Sequence, residues 1–226
     1  MPRAASSRKS ATRCVTCSEA PPGGPGRRRW RAGVLVLALV ACGGGDEPLP
    51  RLGPGEVILA FGDCLTFGTG ARPEESYPAV LEALTGRPVV NAGVPGEVSE
   101  AGRRRLPGVL EQTRPRLVVL IHGGNDILRR VEPGTTERNL REMVGAARGA
   151  GAAVVLLGVP QPGLFLSAAG VYRRLAEELG LPYDGEAIPG LLGDNRMKSD
   201  AIHPNAAGYR QLAEAVRDLL REGGAL

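Results

Sequence analysis

Residues 57–68 read Val-Ile-Leu-Ala-Phe-Gly-Asp-Cys-Leu-Thr-Phe-Gly, five apolar residues in a row that break into Gly62-Asp63-Cys64. An uninterrupted apolar run such as Val57 to Phe61 fits a strand covered on both faces, as in parallel sheets. Similar runs follow at Val89-Val90, Leu117 to Ile121 and Val154 to Leu157. Between and after them the apolar period changes to that of a helix. Tyr77, Val80, Leu81 and Leu84 recur at i, i+3, i+4 and i+7, and Gly86 stops the pattern. Leu140, Met143, Val144 and Ala147 repeat it, and Val171, Leu175, Ala176 and Leu179 run into Gly180. The last stripe is the longest: Tyr209, Leu212, Ala213, Val216, Leu219 and Leu220, closed by Gly223. Alternating strands and helices predict a three-layer α/β/α fold around a mainly five-stranded parallel sheet. Ligands bind such sheets beyond the carboxyl ends of the strands, so chemistry is sought where each apolar run ends.

Polar motifs stand at those places. Gly62-Asp63-Cys64-Leu65 follows the first run, and Asn91-Ala92-Gly93-Val94-Pro95-Gly96-Glu97 follows the second. His122-Gly123-Gly124-Asn125-Asp126 follows the third, and Ser199-Asp200-Ala201-Ile202-His203-Pro204-Asn205 precedes the last helix. A nucleophile at a strand-to-helix turn is exposed and lies near backbone N–H groups. It needs a base, and the chain has two histidines. His203 follows Asp200 by three residues, so one local turn could let the carboxylate orient the imidazole. His122, at the end of a buried run, reads as a packed or hydrogen-bonded residue at the pocket edge. The scattered His and carboxylates give no metal constellation, and no cofactor is implied.

Taken together, the four blocks resemble the SGNH hydrolases, the GDSL esterase/lipase family, and within it the arylesterase and lysophospholipase-like thioesterase branch. The resemblance runs from about Val57 to the C-terminal helix. It implies a flavodoxin-like SGNH fold and hydrolysis of acyl esters through a covalent acyl-enzyme. Short acyl or aryl esters and lysophospholipids are the substrates it suggests. It assigns catalysis to position 64 with Asp200 and His203. It places the oxyanion donors at the backbone N–H groups of Cys64 and Gly96 and the side-chain amide of Asn125.

One residue departs from that pattern, because the family has serine where this chain has Cys64. Sulfur is larger and its bond to Cβ longer, which misaligns a hole set for oxygen, and an error near 1 Å can cost about a hundredfold in rate. Against this, a thiol beside His203 and a helix N-terminus is expected to ionise more readily. The alternative reading is a catalytically impaired or non-catalytic SGNH domain that binds an acyl ligand or glycan. A flavodoxin-like nucleotide binder is disfavoured, since no Gly-x-Gly-x-x-Gly loop follows the first strand.

The N-terminal part has a different character. Of 226 residues, residues 1–41 hold eight Arg or Lys and one acid, whereas the remainder carries a net charge of −3. The overall +4 therefore belongs to the leader, and a nucleic-acid partner is not expected. Arg27-Arg28-Arg29-Trp30-Arg31 precedes an apolar run from Ala32 to Ala41 that is too short to span a bilayer but suits a secretory h-region. Leu39-Val40-Ala41-Cys42 resembles a bacterial lipobox, which implies lipidation of Cys42. Residues 1–41 are thus read as a leader, 42–55 as a flexible tether and 56–226 as the hydrolase domain. The expected location is the cell envelope, anchored to a membrane with the periplasmic face as the site of action. Cys14 and Cys17 would leave with the leader, so Cys64 is the unpaired thiol of the folded body.

Overall fold

The computed structural model describes residues 48–161 and 166–226. The leader with Cys14 and Cys17, the lipidation candidate Cys42 and the first part of the expected tether lie outside the described residues. In chain order the elements are β1 (Ile58–Gly62), α1 (Cys64–Phe67), α2 (Tyr77–Thr85), β2 (Val89–Gly93), α3 (Ser99–Thr113), β3 (Leu117–Ile121), α4 (Gly124–Leu128) and α5 (Pro133–Gly149). There follow β4 (Ala153–Leu157), β5 (Pro160–Gln161), β6 (Ser167–Ala168), α6 (Gly170–Leu179), β7 (Tyr183–Asp184), α7 (Ala187–Gly193) and α8 (Ala206–Glu222).

Five strands form one parallel sheet in the order β2-β1-β3-β4-β7. The register sets Ile58 beside both Val89 and Leu117, and Gly62 beside both Gly93 and Ile121. From β1 the chain steps out to β2 and then returns to β3 on the other side. The switch point therefore lies between β1 and β3, where doubly wound sheets open a crevice for ligands. Every residue of β1 and β3 is buried, whereas the edge strand β2 is partly exposed. The continuous apolar runs thus mark the two strands that flank the switch point.

Helices flank this sheet in two packed groups, α2 and α7 against α8, and α3 and α6 against α5. The buried stripe of α8 is Tyr209, Leu212, Ala213, Val216 and Leu220, the period the sequence predicts. Each such side chain contributes about 1.5–3 kcal/mol of transfer free energy before the entropy of ordering it.

Two features were not expected from the sequence. Helix α3 carries Arg103-Arg104-Arg105 and an internal Pro107, and it turns only Ser99, Gly102, Leu106 and Leu110 fully inward. Its inner face is too polar and too small to announce itself as an apolar stripe. The second feature corrects the tether. Leu49 and Leu52 are buried, and their N–H groups donate to the carbonyls of Gly223 and Ala225 at 2.9 and 2.8 Å. These two leucines find an apolar slot at the end of α8, whose last turn leaves backbone acceptors open. The folded body therefore begins before Glu56. Among the described residues no helix is long and apolar enough to cross a membrane.

Candidate active site

Asp63 follows β1 and caps α1, its Oδ1 accepting the Leu65 N–H at 3.2 Å. Cys64 is thereby the first residue of a one-turn helix beyond the carboxyl end of β1. The second Asp63 oxygen accepts the Gly124 N–H at 3.2 Å and ties this turn to the start of α4 beyond β3. Asp63 is fully buried, and burial raises its carboxyl above the ordinary range against the pull of the Leu65, Gly124 and Asn125 N–H groups.

The half-buried thiol of Cys64 points its hydrogen at Asp63 Oδ1, with the sulfur 3.8 Å away. Burial first, and the Asp63 charge second, push this thiol up to about 11. The groups that favour the thiolate are the Cys64 N–H, the Asn125 side-chain amide and the Gly96 N–H. They are the same three groups that the family resemblance assigns to an oxyanion. Asn125 Nδ2 is buried and has no hydrogen-bond partner. A buried donor without an acceptor costs about 1–3 kcal/mol, which sets this amide apart from the satisfied polar groups around it.

The expectation that Cys64 ionises easily is corrected by this geometry. Helix α1 has four residues, too few peptide dipoles to offset burial, and the nearest charge is a carboxylate of the wrong sign. Burial and the Asp63 carboxylate thus favour the thiol over the thiolate here.

Asp200 and His203 sit in the loop before α8. Asp200 Oδ1 accepts the N–H groups of Ile202 and His203, each at 2.8 Å, and Oδ2 accepts His203 Nδ1–H at 2.8 Å. Burial works to raise the Asp200 carboxyl, but these donors outweigh it and hold it below the usual range. With Nδ1 occupied as a donor, Nε2 keeps the lone pair a general base requires. The loop is seated by a bridge between Lys198 and Pro204 and by Asn205, whose side chain accepts the Gly208 N–H and donates to the Arg196 carbonyl. It packs closely on the turn after α1. Gly70 has φ +98° there, and any Cβ would collide with Ser199 Oγ and the Pro204 carbonyl. Tyr209 Oη donates to the Thr69 carbonyl at 2.8 Å and fastens α8 to that turn.

An apolar pocket of about 240 Å³ opens from Cys64. Leu65, Ile127, Val159 and Leu192 form much of its wall, with Ala201 and Ile202 bringing in the Asp200–His203 loop. Leu128, Leu166 and Ile202 line it while more than 40% exposed, so its mouth is apolar.

The second histidine does different work. His122 is completely buried, its Nδ1 accepts the Gly123 N–H at 2.8 Å, and Nε2 lies 3.2 Å from Glu97 Oε2. It is hydrogen-bonded structure, as its place in the sequence suggests. Asp126 is likewise structural, taking Ser99 N–H at 2.7 Å, Ser99 Oγ at 2.5 Å and Thr136 Oγ1 at 3.3 Å.

A doubly wound sheet with its polar residues gathered at the switch point, beside an apolar pocket, is the architecture of an α/β/α acyl-ester hydrolase. The chain belongs to the GDSL-like lipase/acylhydrolase family, whose model matches residues 60–211, and thus to the SGNH hydrolases. It is 31% identical over 179 residues to Esterase TesA of Pseudomonas aeruginosa, covering 74% of this chain and 88% of that one. It is 31% identical over 187 residues to Thioesterase 1/protease 1/lysophospholipase L1 of Escherichia coli K12, covering 78% and 85%. A crystal structure of TesA superposes with a TM-score of 0.65 at 32% identity, covering 74% of this chain and 99% of that one.

The fold thus brings Cys64, Gly96 and Asn125 together and pairs Asp200 with His203. Sequence reading did not find the acceptor role of Asp63 toward the thiol or the partners that Glu97 gathers. A charged residue directly after Gly96 was the available signal.

Proposed function

We propose that this acyl-ester hydrolase works through a thiol nucleophile, with Cys64, His203 and Asp200 as its catalytic residues. The observation that carries the reading is the place of Cys64, first residue of α1 on the wall of the apolar pocket, with the buried Asn125 amide beside it. Because the resting thiol is neutral, attack and proton transfer are coupled. The sulfur bonds to the acyl carbon as its proton passes to His203 Nε2, and the carbonyl oxygen becomes an oxyanion facing the Cys64, Gly96 and Asn125 donors. Asp200 holds the ring and stabilises the imidazolium. His203 then returns the proton to the leaving oxygen or sulfur, which departs and leaves an acyl thioester on Cys64. Water, deprotonated by the same imidazole, adds to that thioester and releases the carboxylic acid and the free thiol.

The apolar pocket supports substrates with a short acyl or aryl group, or a lysolipid tail. The names of the relatives, esterase and lysophospholipase, support the same range. The test is turnover of p-nitrophenyl acetate well beyond one equivalent per chain, lost in Cys64→Ala. Release that stops at one equivalent would leave only an acylation trap.

The location belongs to the same proposal. Residues 1–41 act as an export leader and Cys42 as the lipidated first residue, anchoring the domain to a membrane in the cell envelope. The support is the basic segment, the short apolar run and the lipobox-like Leu39-Val40-Ala41-Cys42. The exported protein is expected in the membrane fraction and its Cys42→Ala variant outside it. An unacylated mature form starting elsewhere would refute the anchor.

A further inference from the structure

The three oxyanion donors come from the ends of three different strands, and one buried charged cluster touches all three ends. Glu97 directly follows Gly96, and its side chain is only 7% exposed. Arg105 of α3 holds it in a bidentate pair, Nε to Oε1 at 2.9 Å and Nη2 to Oε2 at 2.7 Å. Arg105 Nη2 also donates to the Ala92 carbonyl of β2 at 3.1 Å and reaches the Gly62 carbonyl of β1 at 3.5 Å. Its guanidinium lies 4.3 Å above the Phe61 ring, so it is packed as well as paired. On the other side His122, at the end of β3, meets Glu97 Oε2 through Nε2. His122 Nδ1 accepts the Gly123 N–H, which requires its lone pair there and puts the ring hydrogen on Nε2, aimed at Glu97. Gly123 is the residue that opens α4 and so sets Asn125. The cluster has no room to drift, because a Cβ on Gly102 would collide with His122 Nε2.

From this geometry we infer that Glu97, through Arg105 and His122, is the positioning residue that registers the Gly96 N–H with the Cys64 N–H and the Asn125 amide. The inference rests on the proposed oxyanion role of those three donors. The need for such a device is physical. Gly96 has φ +76° and stands in an exposed loop, where its N–H would otherwise wander. One more hydrogen bond, from Arg129 Nη2 to the Gly96 carbonyl at 2.9 Å, acts from the solvent side. The buried carboxylate fixes the next residue from below. An oxyanion hole stabilises a transition state only while its donors stay within a few tenths of an ångström of the developing charge. Glu97 does not touch the substrate, so its removal should spare ground-state binding.

The experiment compares Glu97→Gln with the parent on a short ester and on a trifluoromethyl ketone of the same acyl length, which the thiol adds to reversibly as a tetrahedral oxyanion. The substituted amide fills the same space as the carboxylate but gives up the charge that holds Arg105. The expected result is a kcat lower by roughly thirtyfold or more, a KM within about threefold, and a parallel loss of ketone affinity. Arg105→Lys keeps the charge without the bidentate grip, and it should fall between the two if Glu97→Gln folds poorly. Folded Glu97→Gln or Arg105→Lys with parental kcat and ketone affinity would overturn the inference. So would a loss carried by KM alone. Cys64→Ala and Asn125→Ala run alongside: activity retained there refutes the proposed site itself, whereas activity lost there and kept in Glu97→Gln refutes only the positioning role.

Discussion

The two halves of the site are built in opposite ways. The proposed oxyanion side is cross-linked through the interior, with Asp63 joining β1 to α4 and Glu97, Arg105 and His122 joining all three strand ends. The proposed acid–base side is a surface loop seated on the turn after α1, its carboxylate 53% exposed and its Asp–His pairing set within four residues. Charge stabilisation demands donors that do not move, because their worth falls steeply with misplacement. Proton transfer demands a base that is oriented locally and reaches both the nucleophile and the leaving group. The first task needs long-range buried contacts, and the second needs only a short motif.

The contrast can be broken most severely at the loop. His203→Ala is expected to cost about a thousandfold or more in kcat/KM, because a thiol held up to about 11 cannot attack as a preformed thiolate. A folded His203→Ala protein with near-parental turnover would show that the neutral thiol needs no base. On the rigid side, Asn125→Ala should lower kcat by about a hundredfold to a thousandfold, with KM little changed, measured on one short ester. Retained kcat would mean the buried amide is idle.

A smaller effect of opposite sign is expected at the junction of the halves. Cys64→Ser should raise kcat/KM for oxygen esters by roughly tenfold, since the geometric penalty of sulfur is not offset by easy ionisation. Iodoacetamide mass labelling supplies the companion measurement. Alkylation of Cys64 should be slow at pH 7 and climb as pH approaches about 11. Fast labelling at neutral pH, or a serine variant slower than the parent, would mark the pocket as adapted to sulfur.

The smallest effect concerns stability in acid. Burial works to raise the Glu97 carboxyl, but His122 and Arg105 outweigh it and hold it down at about 2. A depressed carboxyl stabilises the fold above its unfolded value of about 4.3 and loses that contribution as pH falls toward 2. Thermal unfolding of Glu97→Gln should therefore vary less between pH 5 and 2 than that of the parent. Equal pH dependence in the two proteins would show that Glu97 is not held as an anion.

Which parts were legible in the sequence follows the same division. Buried parallel strands show as unbroken apolar runs, and Asp-x-x-His is local, so the sheet and the Asp200–His203 turn could be read directly. Helix α3 could not, because its inward face is Ser99, Gly102, Leu106 and Leu110 beneath a run of arginines. The strand β7 is two residues long, and α7 contains both Pro189 and Gly190, so neither offers a period to count. Leu49 and Leu52 sit among prolines and read as tether until the end of α8 supplies their partners. The contacts of Glu97 with His122 and of Asp63 with Gly124 span 25 and 61 residues. They exist only because β1 lies between β2 and β3. The thiol's reluctance to ionise depends on those same burials, and no local motif carries that information.

The most direct test of thiol catalysis is capture of the acyl-enzyme. The parent is mixed with p-nitrophenyl acetate, quenched in acid within the first turnovers and mapped by peptide mass spectrometry. The expected result is one acetyl group on the Cys64 peptide, released by hydroxylamine and absent from Cys64→Ala, which should also have lost turnover. Steady turnover in Cys64→Ala, or an acetyl group found only on another residue, would contradict the assignment of Cys64 as the nucleophile.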